Sequence, residues 1–582
     1  MIGKKDFTVS DLSKFIAREA YSEKGQVESL LNKDPEASVT AGEVLGPLRP
    51  VGKSSNGTLL RGEEIYFSRF RAGERVDLVE INDAEKKFRK LKGSSIKMVH
   101  FPHPGVIEVL IAEDAFVLDG REEVFLLPQS AAGLKWSIRQ RLNDIAASGV
   151  VAPYSKIDPR PLHDSLKRTE GRLNSTQAEA LRFLIENDLH GLVQGPPGTG
   201  KTKLLVELVQ LAVKNNLRVG LASLTHAAVD NALARIIHSG VDTDMVVRVA
   251  GEKRKIKTEP YKGLSIDEIW SGSLRDAGTP SEYGDGGKYL VYAATLHSWC
   301  CSNHPPEIDL LIIDEASQVP IYFHPFLEAL SSRVVMFGDH KQLPPVIQVL
   351  NHNLPSEDLF SYEIQRGTYP MLEIQYRMNE KIQEWSSKRF YEGRLIPDES
   401  HRERDILRGR DTLSGRMGSK MVNMIAHTGY SSYNANRLEA SRVADLVWAL
   451  KTEGSLPLEE IGIVTPHRAQ AGAICAALQE KIGLLDTQRV LVDTVERFQG
   501  QEREAMILSL SVERDVSLKG DRGFLGDGRR LNVAVTRAKS RFYCLAPKKL
   551  IENTKRQKNA EHLRSFLSWC GAGNAHAAKE TA

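Results

Sequence analysis

The sequence predicts an α/β fold with two lobes, each built on a parallel sheet, preceded by a small β-rich domain. Three observations carry this prediction. Apolar runs of strand length alternate with helical patterns over residues 180–350 and again over 370–570. A glycine-rich loop stands between such a strand and helix in the first block only. Residues 46–130 instead show short alternating runs punctuated by Gly, Pro and Asn, which is typical of a small β-barrel or sheet.

Composition limits the classes of protein to which the chain can belong. It has 582 residues, 41% hydrophobic and 26% charged, as in ordinary globular proteins. The net charge is +3, so bulk charge does not predict a nucleic-acid partner, and any basic surface must be local. The chain contains no apolar stretch of about 18 residues, which predicts no membrane span, and no apolar segment follows its N-terminus as in a secretory signal. The five cysteines form no C-x-x-C pair, and we expect a cytoplasmic protein.

The same patterns divide the chain in order. Residues 1–45 are polar and helical, and residues 46–130 form the β-rich domain. The first lobe covers 131–350 and begins with stalk helices, and the second covers 351–570. Residues 571–582, rich in Ala, Lys and Glu, predict a disordered tail.

The glycine-rich loop matches the phosphate-binding pattern G-x-x-x-x-G-K-[ST] at every fixed position. Its residues are Gly195, Pro196, Pro197, Gly198, Thr199, Gly200, Lys201 and Thr202. The glycines let backbone N–H groups turn toward phosphate oxygens, and the following helix adds the positive end of its dipole. Lys201 would reach the β- and γ-phosphates of ATP, and the Thr202 hydroxyl would ligate Mg²⁺.

Two further apolar strands in the first lobe end in polar residues. Asp314 and Glu315 follow the run 310–313, at the strand end where α/β sheets bind ligands. Asp314 would hold Mg²⁺, and Glu315 would polarise the attacking water. A second run leads to Gln342, which would sense the γ-phosphate. Taken alone, Asp314 and Glu315 could be a solvated strand end, but the upstream phosphate loop disfavours that interpretation.

These motifs resemble those of the superfamily 1 helicases, and specifically the Upf-like group, which includes the nonsense-mediated-decay helicase, senataxin and the replication nuclease-helicases. Residues 314–318 are similar to motif II and residues 338–345 to motif III. Six other elements follow the family's order: the Q motif at 173–177, motif Ia at 223–231, the Gln-Tyr-Arg-Met element at 375–378, motif IV at 463–470, motif V at 493–502 and motif VI at 531–539. As an ordered set this resemblance is highly specific.

The resemblance implies two RecA-like P-loop NTPase lobes, a 1B-like barrel at 46–130 and a short 1C-like insertion at 252–288. The chain departs from the family where Asn379 and Glu380 replace the usual His-Pro, and where motif Ia reads Leu-Thr-His. Neither departure touches the hydrolytic residues.

The family also implies roles for residues that the pattern alone does not assign. Arg377 and Arg537 would act as arginine fingers on the γ-phosphate. Gln177 would contact adenine, Tyr376 would stack on it, and Glu502 would contact the ribose or the phosphate network. Single-stranded nucleic acid would be held through its phosphates by Ser223, Thr225, Thr295, Thr465, Pro466, Arg468 and Thr494. The basic runs 402–420 and 253–257 are further candidates, although such runs are more often solvated loops.

The implied function is that of an ATP-dependent helicase or translocase that moves 5′→3′ on single-stranded nucleic acid, DNA being favoured over RNA, with ATP and Mg²⁺. Two alternatives stay open: an RNA helicase, and a nucleic-acid-stimulated NTPase that remodels protein–nucleic-acid complexes without processive unwinding. The intact hydrolytic residues disfavour a non-catalytic binding module. We expect no membrane partner.

Overall fold

The computed structural model describes residues 7–54, 57–72, 74–82, 84–112, 118, 123–149, 152, 157, 159–167, 171–248, 290–302, 305–347, 349, 354, 356–407, 420–429, 434–512, 525–556 and 560–572. The predicted insertion at 252–288, the basic run 253–257 and most of the predicted tail lie outside them. The chain forms two compact units. Unit 1 comprises Met1–Glu23 and Ala131–Tyr376, and unit 2 comprises Lys24–Ser130 and Arg377–Ala582.

The strands are β1 (Leu45–Ser54), β2 (Gly57–Gly62), β3 (Arg75–Asn82), β4 (Lys87–His103), β5 (Val106–Ile111), β6 (Val124–Pro128), β7 (Gly191–Gln194), β8 (Val219–Ser223), β9 (Val246–Arg248), β10 (Val291–Thr295), β11 (Leu310–Ile313), β12 (Val334–Gly338), β13 (Ile374–Gln375), β14 (Ile396–Pro397), β15 (Val422–His427), β16 (Ile461–Thr465), β17 (Leu491–Thr494), β18 (Arg503–Ser509) and β19 (Ala538–Pro547).

The helices are α1 (Val9–Asn32), α2 (Pro35–Thr40), α3 (Ala132–Ser148), α4 (Pro159–Lys167), α5 (Ser175–Glu186), α6 (Lys201–Lys214), α7 (His226–His238), α8 (Leu296–Cys301), α9 (His324–Leu330), α10 (Leu359–Glu363), α11 (Glu380–Phe390), α12 (Arg437–Thr452), α13 (Arg468–Ile482), α14 (Leu484–Arg489), α15 (Gly528–Val535), α16 (Lys548–Arg556) and α17 (Glu561–Ala572).

Unit 1 is centred on a six-stranded parallel sheet in the order β7-β12-β11-β8-β10-β9. Successive side chains of a strand point to opposite faces, so its apolar residues divide between two cores. Leu310 and Ile312 pack with α5, α6 and α7. Leu311 and Ile313 pack with α1, α3, α8 and α9. Helices therefore cover both faces of the sheet, which explains why these strands are continuously apolar.

The β-rich segment forms a closed antiparallel barrel in the order β1-β2-β5-β4-β3-β6. Its interior is filled by alternate side chains of these strands, among them Leu48, Val76, Val109 and Leu126. Closure pairs β1 with β6, so that within the described chain no strand of the barrel is left as an edge.

The rest of unit 2 is an α/β lobe around a five-stranded parallel sheet in the order β15-β19-β18-β16-β17. The barrel belongs to this unit and contacts the lobe directly. Arg71 Nη2 lies 2.9 Å from Asp493 Oδ2, and Arg497 Nη2 lies 3.0 Å from Glu74 Oε1. The predicted α/β fold, with two parallel-sheet lobes and a preceding β-rich domain, is confirmed.

The five cysteines are all free thiols. Cys300, Cys475, Cys544 and Cys570 are buried, and Cys301 is half-buried. Burial raises the pKa of Cys475 to about 12, and it raises the pKa values of Cys300 and Cys570 well above their ordinary value. These thiols therefore stay protonated and poorly nucleophilic at neutral pH.

Among the helices that the structure describes, none is both long enough and apolar enough to cross a membrane.

Candidate active site

The glycine-rich loop of unit 1 connects β7 to the first turn of α6. Gly200 precedes α6 with φ 76°, a left-handed conformation that favours glycine. No side chain caps α6 at this end, so the amides of its first turn are not taken by a capping group. A Cβ on Gly200 would lie 2.5 Å from Gln177 Nε2, and one on Gly195 would lie 2.9 Å from Lys201 Cβ. The loop is thus a backbone cradle of the kind that fits phosphate groups.

Lys201 lies between the two acids of motif II. Its Nζ is 2.7 Å from Glu315 Oε1 and 3.7 Å from Asp314 Oδ1. Burial lowers the pKa of Lys201, but the Glu315 and Asp314 carboxylates outweigh burial and raise it above its ordinary value. Burial also raises the pKa of Asp314, which the Lys201 charge partly offsets. The charges in this pocket therefore depend on one another, as is common at catalytic centres.

Glu315 is held by its backbone as well as by Lys201. Its φ is 55°, an uncommon value for a residue with a side chain. The Glu315 backbone N–H donates to Asp314 Oδ1 at 2.9 Å, and Gln318 Nε2 donates to Glu315 Oε2 at 3.2 Å. Such strained residues cluster at functional sites, where their surroundings hold them.

Gln342 is oriented by Asp339, a buried acid just beyond β12. Asp339 accepts hydrogen bonds from Gln342 Nε2 at 2.8 Å and from Gln194 Nε2 at 3.1 Å. It thereby joins the end of β7, which leads into the phosphate loop, to motif III. Sequence analysis missed Asp339 as a site residue, although an acid after a buried strand was a usable signal.

Gln177 supports the phosphate loop through a hydrogen bond of its side chain. It is fully buried, and its Nε2 donates to the Thr199 carbonyl at 2.9 Å. Its Oε1 accepts from the Asn174 N–H at 3.1 Å, completing a capping box at α5. Both the nitrogen and the oxygen of the Gln177 side-chain amide are therefore hydrogen-bonded within the chain. Contact with adenine stays a prediction.

Tyr376 is attached to the same loop through its backbone. Its N–H donates to the Gly198 carbonyl at 2.8 Å, and its hydroxyl accepts from Asn174 Nδ2 at 2.9 Å. The side chain is 37% exposed, so one part of the ring is accessible. This placement is compatible with the predicted stacking on a base, which no contact in the structure tests.

Unit 2 gathers the other residues predicted to act on phosphate. Arg377 Nε donates to Glu502 Oε2 at 2.6 Å, and Arg377 Nη1 donates to the Thr536 carbonyl at 3.0 Å, next to Arg537. Lys539 Nζ lies 3.4 Å from Glu502 Oε1. Burial raises the pKa of Glu502, but Arg377 and Lys539 outweigh it and hold the pKa below its ordinary value. Sequence analysis did not single out Lys539.

The predicted strand-binding residues of unit 1 lie at the carboxyl ends of neighbouring strands. Ser223 and Thr295 are register partners at the ends of β8 and β10. Thr225 caps α7 by accepting from the Ala228 N–H at 3.2 Å. The Ser223 hydroxyl oxygen is buried and has no hydrogen-bond partner among the described residues. An unsatisfied polar atom at a strand end is a candidate ligand contact.

Unit 2 repeats this arrangement. Thr465 and Thr494 are register partners at the ends of β16 and β17. Pro466 follows Thr465, and Arg468 begins α13. The Thr465 hydroxyl oxygen is also buried without a partner in the described chain. Each unit therefore brings its own predicted contacts together.

The basic run 402–420 is described only at its two ends. Arg402 lies 2.7 Å from Glu399, and Arg404 pairs with Glu504. These arginines therefore form ion pairs within unit 2, as the more ordinary interpretation of a basic run expects.

Known protein families match the part of the chain that contains these residues. Two family models, both described as an AAA domain, match the chain: AAA_11 over residues 172–279 and 291–349, and AAA_12 over residues 356–549. The three matched segments contain every residue that the sequence analysis predicts to bind nucleotide or the strand.

Three curated relatives show what the chain is similar to. It is 30% identical over 448 residues to the DNA polymerase alpha-associated DNA helicase A of Schizosaccharomyces pombe, covering 67% of this chain and 65% of the relative. It is 29% identical over 446 residues to the Regulator of nonsense transcripts 1 of Dictyostelium discoideum, covering 68% and 33%. It is 27% identical over 461 residues to the DNA replication ATP-dependent helicase/nuclease DNA2 of Bos taurus, covering 70% and 40%. The chain thus spans between a third and two thirds of the length of these relatives.

Proposed function

The chain belongs to the Upf-like superfamily 1 helicases, and we propose that it is a nucleic-acid-dependent ATPase that couples ATP hydrolysis to 5′→3′ movement on single-stranded DNA. The observation that carries the proposal is the cluster of Lys201, Asp314 and Glu315 beside the phosphate loop. This cluster contains the cation, the metal ligand and the base that phosphoryl transfer to water needs.

The donor set fits Mg²⁺ and a nucleoside triphosphate. The Thr202 hydroxyl and the Asp314 carboxylate are hard oxygen ligands of the kind that Mg²⁺ prefers, and the metal when bound would neutralise charge on the β- and γ-phosphates. Lys201 would bind the same phosphates in exchange for its present carboxylate partner. Glu315, released from Lys201, would orient and deprotonate the attacking water.

Residues of unit 2 would complete the reaction. Arg377 and Arg537 would stabilise the charge that develops on the transferred phosphoryl group. Glu502 and Lys539 would keep Arg377 oriented through the contacts described above. The register partners of each sheet, Ser223 with Thr295 and Thr465 with Thr494, would grip successive phosphates of the strand.

The names of two relatives support DNA as the substrate, since they are described as a DNA helicase and a DNA replication helicase/nuclease. The third, a regulator of nonsense transcripts, keeps an RNA helicase as the second candidate. The two polymers share the backbone that the strand contacts would grip, and the 2′-hydroxyl is the group that tells them apart.

The test measures ATP hydrolysis with single-stranded DNA and RNA of the same sequence, side by side. We expect DNA to stimulate turnover at lower concentration than RNA. Lys201→Ala, which removes the phosphate-binding cation, should abolish turnover with either polymer. Equal stimulation by both polymers, or by RNA alone, would contradict the DNA assignment. Normal turnover in Lys201→Ala would contradict the site itself.

A further inference from the structure

Two amide side chains of the Q motif lie beside the phosphate loop in unit 1. The first belongs to Gln177, which is 0% exposed, so a molecule that binds at the surface of this conformation does not touch it. Its Nε2 donates to the Thr199 carbonyl at 2.9 Å, and its Oε1 accepts from the Asn174 N–H at 3.1 Å. This amide is therefore engaged at both ends and out of reach of a bound base.

Moving Gln177 toward a base would break both of these contacts. Thr199 is itself 0% exposed, and a buried carbonyl left without its partner costs more free energy than a typical hydrogen bond contributes. The space around the amide is also filled, since a Cβ on Gly200 would lie 2.5 Å from Gln177 Nε2. Gln177 is thus held in place as a support of the loop.

The second amide, that of Asn174, is engaged as well. Its Oδ1 accepts from the Gln177 N–H at 2.9 Å and from the Thr176 hydroxyl at 3.0 Å. Its Nδ2 donates to the Tyr376 hydroxyl at 2.9 Å. A side-chain carbonyl oxygen has two lone pairs, so both acceptor positions of Asn174 are occupied.

These occupied acceptors matter because adenine and guanine differ in what they present beside N7. Adenine presents the donor N6–H₂ there, whereas guanine presents the acceptor O6. A site that selects adenine through this edge needs an acceptor for the 6-amino group. The side-chain oxygens of Gln177 and Asn174 already accept hydrogen bonds from the chain itself. Neither amide therefore selects adenine in this conformation.

Tyr376 offers a contact of a different kind. Its backbone N–H donates to the Gly198 carbonyl at 2.8 Å, which places the residue at the phosphate loop, and its side chain is 37% exposed. Stacking on an aromatic ring tolerates any base, because every base has a π-face. A ring at this position would increase the affinity for a nucleotide without selecting its base.

We propose that the nucleotide site accepts purine and pyrimidine nucleoside triphosphates alike, with Tyr376 stacking on the base and Gln177 acting as a positioning residue that holds Thr199 and hence the phosphate loop. The inference rests on the proposed function, because the nucleotide is the substrate of the proposed hydrolysis, and it widens that substrate from ATP to the whole class. The reaction is the same for each member. Water attacks the γ-phosphorus, the bond to the β–γ bridging oxygen breaks, and the nucleoside diphosphate, phosphate and a proton are released.

The first experiment compares kcat/KM for ATP, GTP, CTP and UTP in the presence of single-stranded DNA or RNA, whichever stimulates turnover more. We expect the four values to agree within about tenfold, whereas a site that hydrogen-bonds a group of its substrate rejects analogues without that group by about 10⁴–10⁵. A preference for ATP above about tenfold over any of the other three would overturn the inference.

Substitution of Gln177 separates support of the loop from contact with adenine, the role that the family resemblance predicts. Gln177→Glu keeps an acceptor for the Asn174 N–H but cannot donate to the Thr199 carbonyl. Gln177→Met is uncharged and makes neither contact. We expect both variants to raise KM by about tenfold for all four nucleotides, as for one lost buried hydrogen bond, so that the ratio of kcat/KM for ATP to that for CTP stays at the wild-type value.

Two results would overturn this role of Gln177. A loss confined to ATP would show that Gln177 contacts adenine. A lowered thermal unfolding temperature with an unchanged KM for every nucleotide would show that Gln177 stabilises the fold without positioning the phosphate loop.

The stacking role of Tyr376 is tested with a ligand that has no base. Tyr376→Ala should raise KM by about tenfold for all four nucleotides, as expected for loss of a stacked base. Its inhibition constant for inorganic tripolyphosphate should equal that of the wild type. Tyr376→Phe, which keeps the ring, should recover most of the lost affinity. A raised KM for ATP alone, or an equal loss of tripolyphosphate binding, would overturn the stacking role.

Failure of the proposed function looks different from failure of this inference. In the first case no nucleotide would be hydrolysed faster with either polymer present. Stimulated hydrolysis of ATP alone would leave the proposed function intact and overturn only the inference about the base.

Discussion

Among single side chains, Glu315 has the most specific proposed role, because it pairs with Lys201, the proposed phosphate-binding cation, and lies in a strained backbone conformation. Glu315→Gln keeps the shape but cannot accept a proton. We expect turnover to fall by about 10²–10⁴, the range for loss of a general base. ATP should bind as tightly as before or more tightly, since Lys201 loses a competing carboxylate. Single-turnover hydrolysis and a nucleotide-binding titration check both statements. Turnover within a few-fold of the wild type would mean that Glu315 is not the base.

The two arginines of the proposed finger pair should affect rate more than affinity. Arg377→Ala and Arg537→Ala remove charge that matters most in the transition state, and such fingers contribute up to about 10³–10⁵ in rate. We expect a large loss of kcat with little change in KM. Arg489→Ala, at an exposed ion pair with Glu459, is the control and should behave as the wild type. A raised KM with an unchanged kcat would contradict the finger role.

The positions of side chains that directly follow a buried strand could be predicted from the sequence. Asp314 and Glu315 follow a run that is recognisably a buried strand, and the carboxyl ends of parallel strands meet at one edge of a sheet. The use of Gln177 as a brace could not be predicted, since it depends on how α5 packs beneath the phosphate loop.

Among loops and helices, the phosphate loop leaves little room for a side chain at Gly200. Gly200→Ala places a Cβ against Gln177 Nε2 and forces a left-handed φ on alanine, which costs about 1–2 kcal/mol in backbone energy alone. We expect ATP affinity to drop by at least about tenfold, a change worth 1.4 kcal/mol. Gly133→Ala in α3 is the control, since nothing lies within 4 Å of its Cβ position. Equal ATP binding by both variants would show that the loop relaxes.

The elements themselves were predictable to different degrees. The parallel strands of both lobes are evident because helices on both faces make them continuously apolar. Closure of the barrel is not evident, because it rests on pairing of β1 with β6, which lie far apart in sequence and carry no local signal for each other. The contact between the barrel and motif V was not predictable either, because Arg71 and Asp493 are distant in the chain.

For the protein overall, the sharpest prediction is the direction of movement, which follows from family resemblance. Two partial duplexes, one with a 5′ overhang and one with a 3′ overhang, distinguish the polarities. We expect ATP-dependent strand displacement from the 5′-tailed substrate only. Glu315→Gln serves as the control for displacement without hydrolysis. Unwinding of the 3′-tailed substrate alone would refute the predicted direction.

Because each unit contains buried thiols, chemical labelling of those thiols would report local opening of that unit. Cys300 lies in unit 1, and Cys475, Cys544 and Cys570 lie in unit 2. A buried thiol is alkylated only while its surroundings are transiently open, so its labelling rate measures the free energy of that opening. Mass spectrometry of the wild-type protein during alkylation would follow the labelling of thiols in both units in one time course. A nucleotide bound by the phosphate loop should slow labelling of Cys300, since ligands stabilise the state that they bind. Equal labelling of Cys300 with and without ATP would indicate that unit 1 gains no stability from the nucleotide.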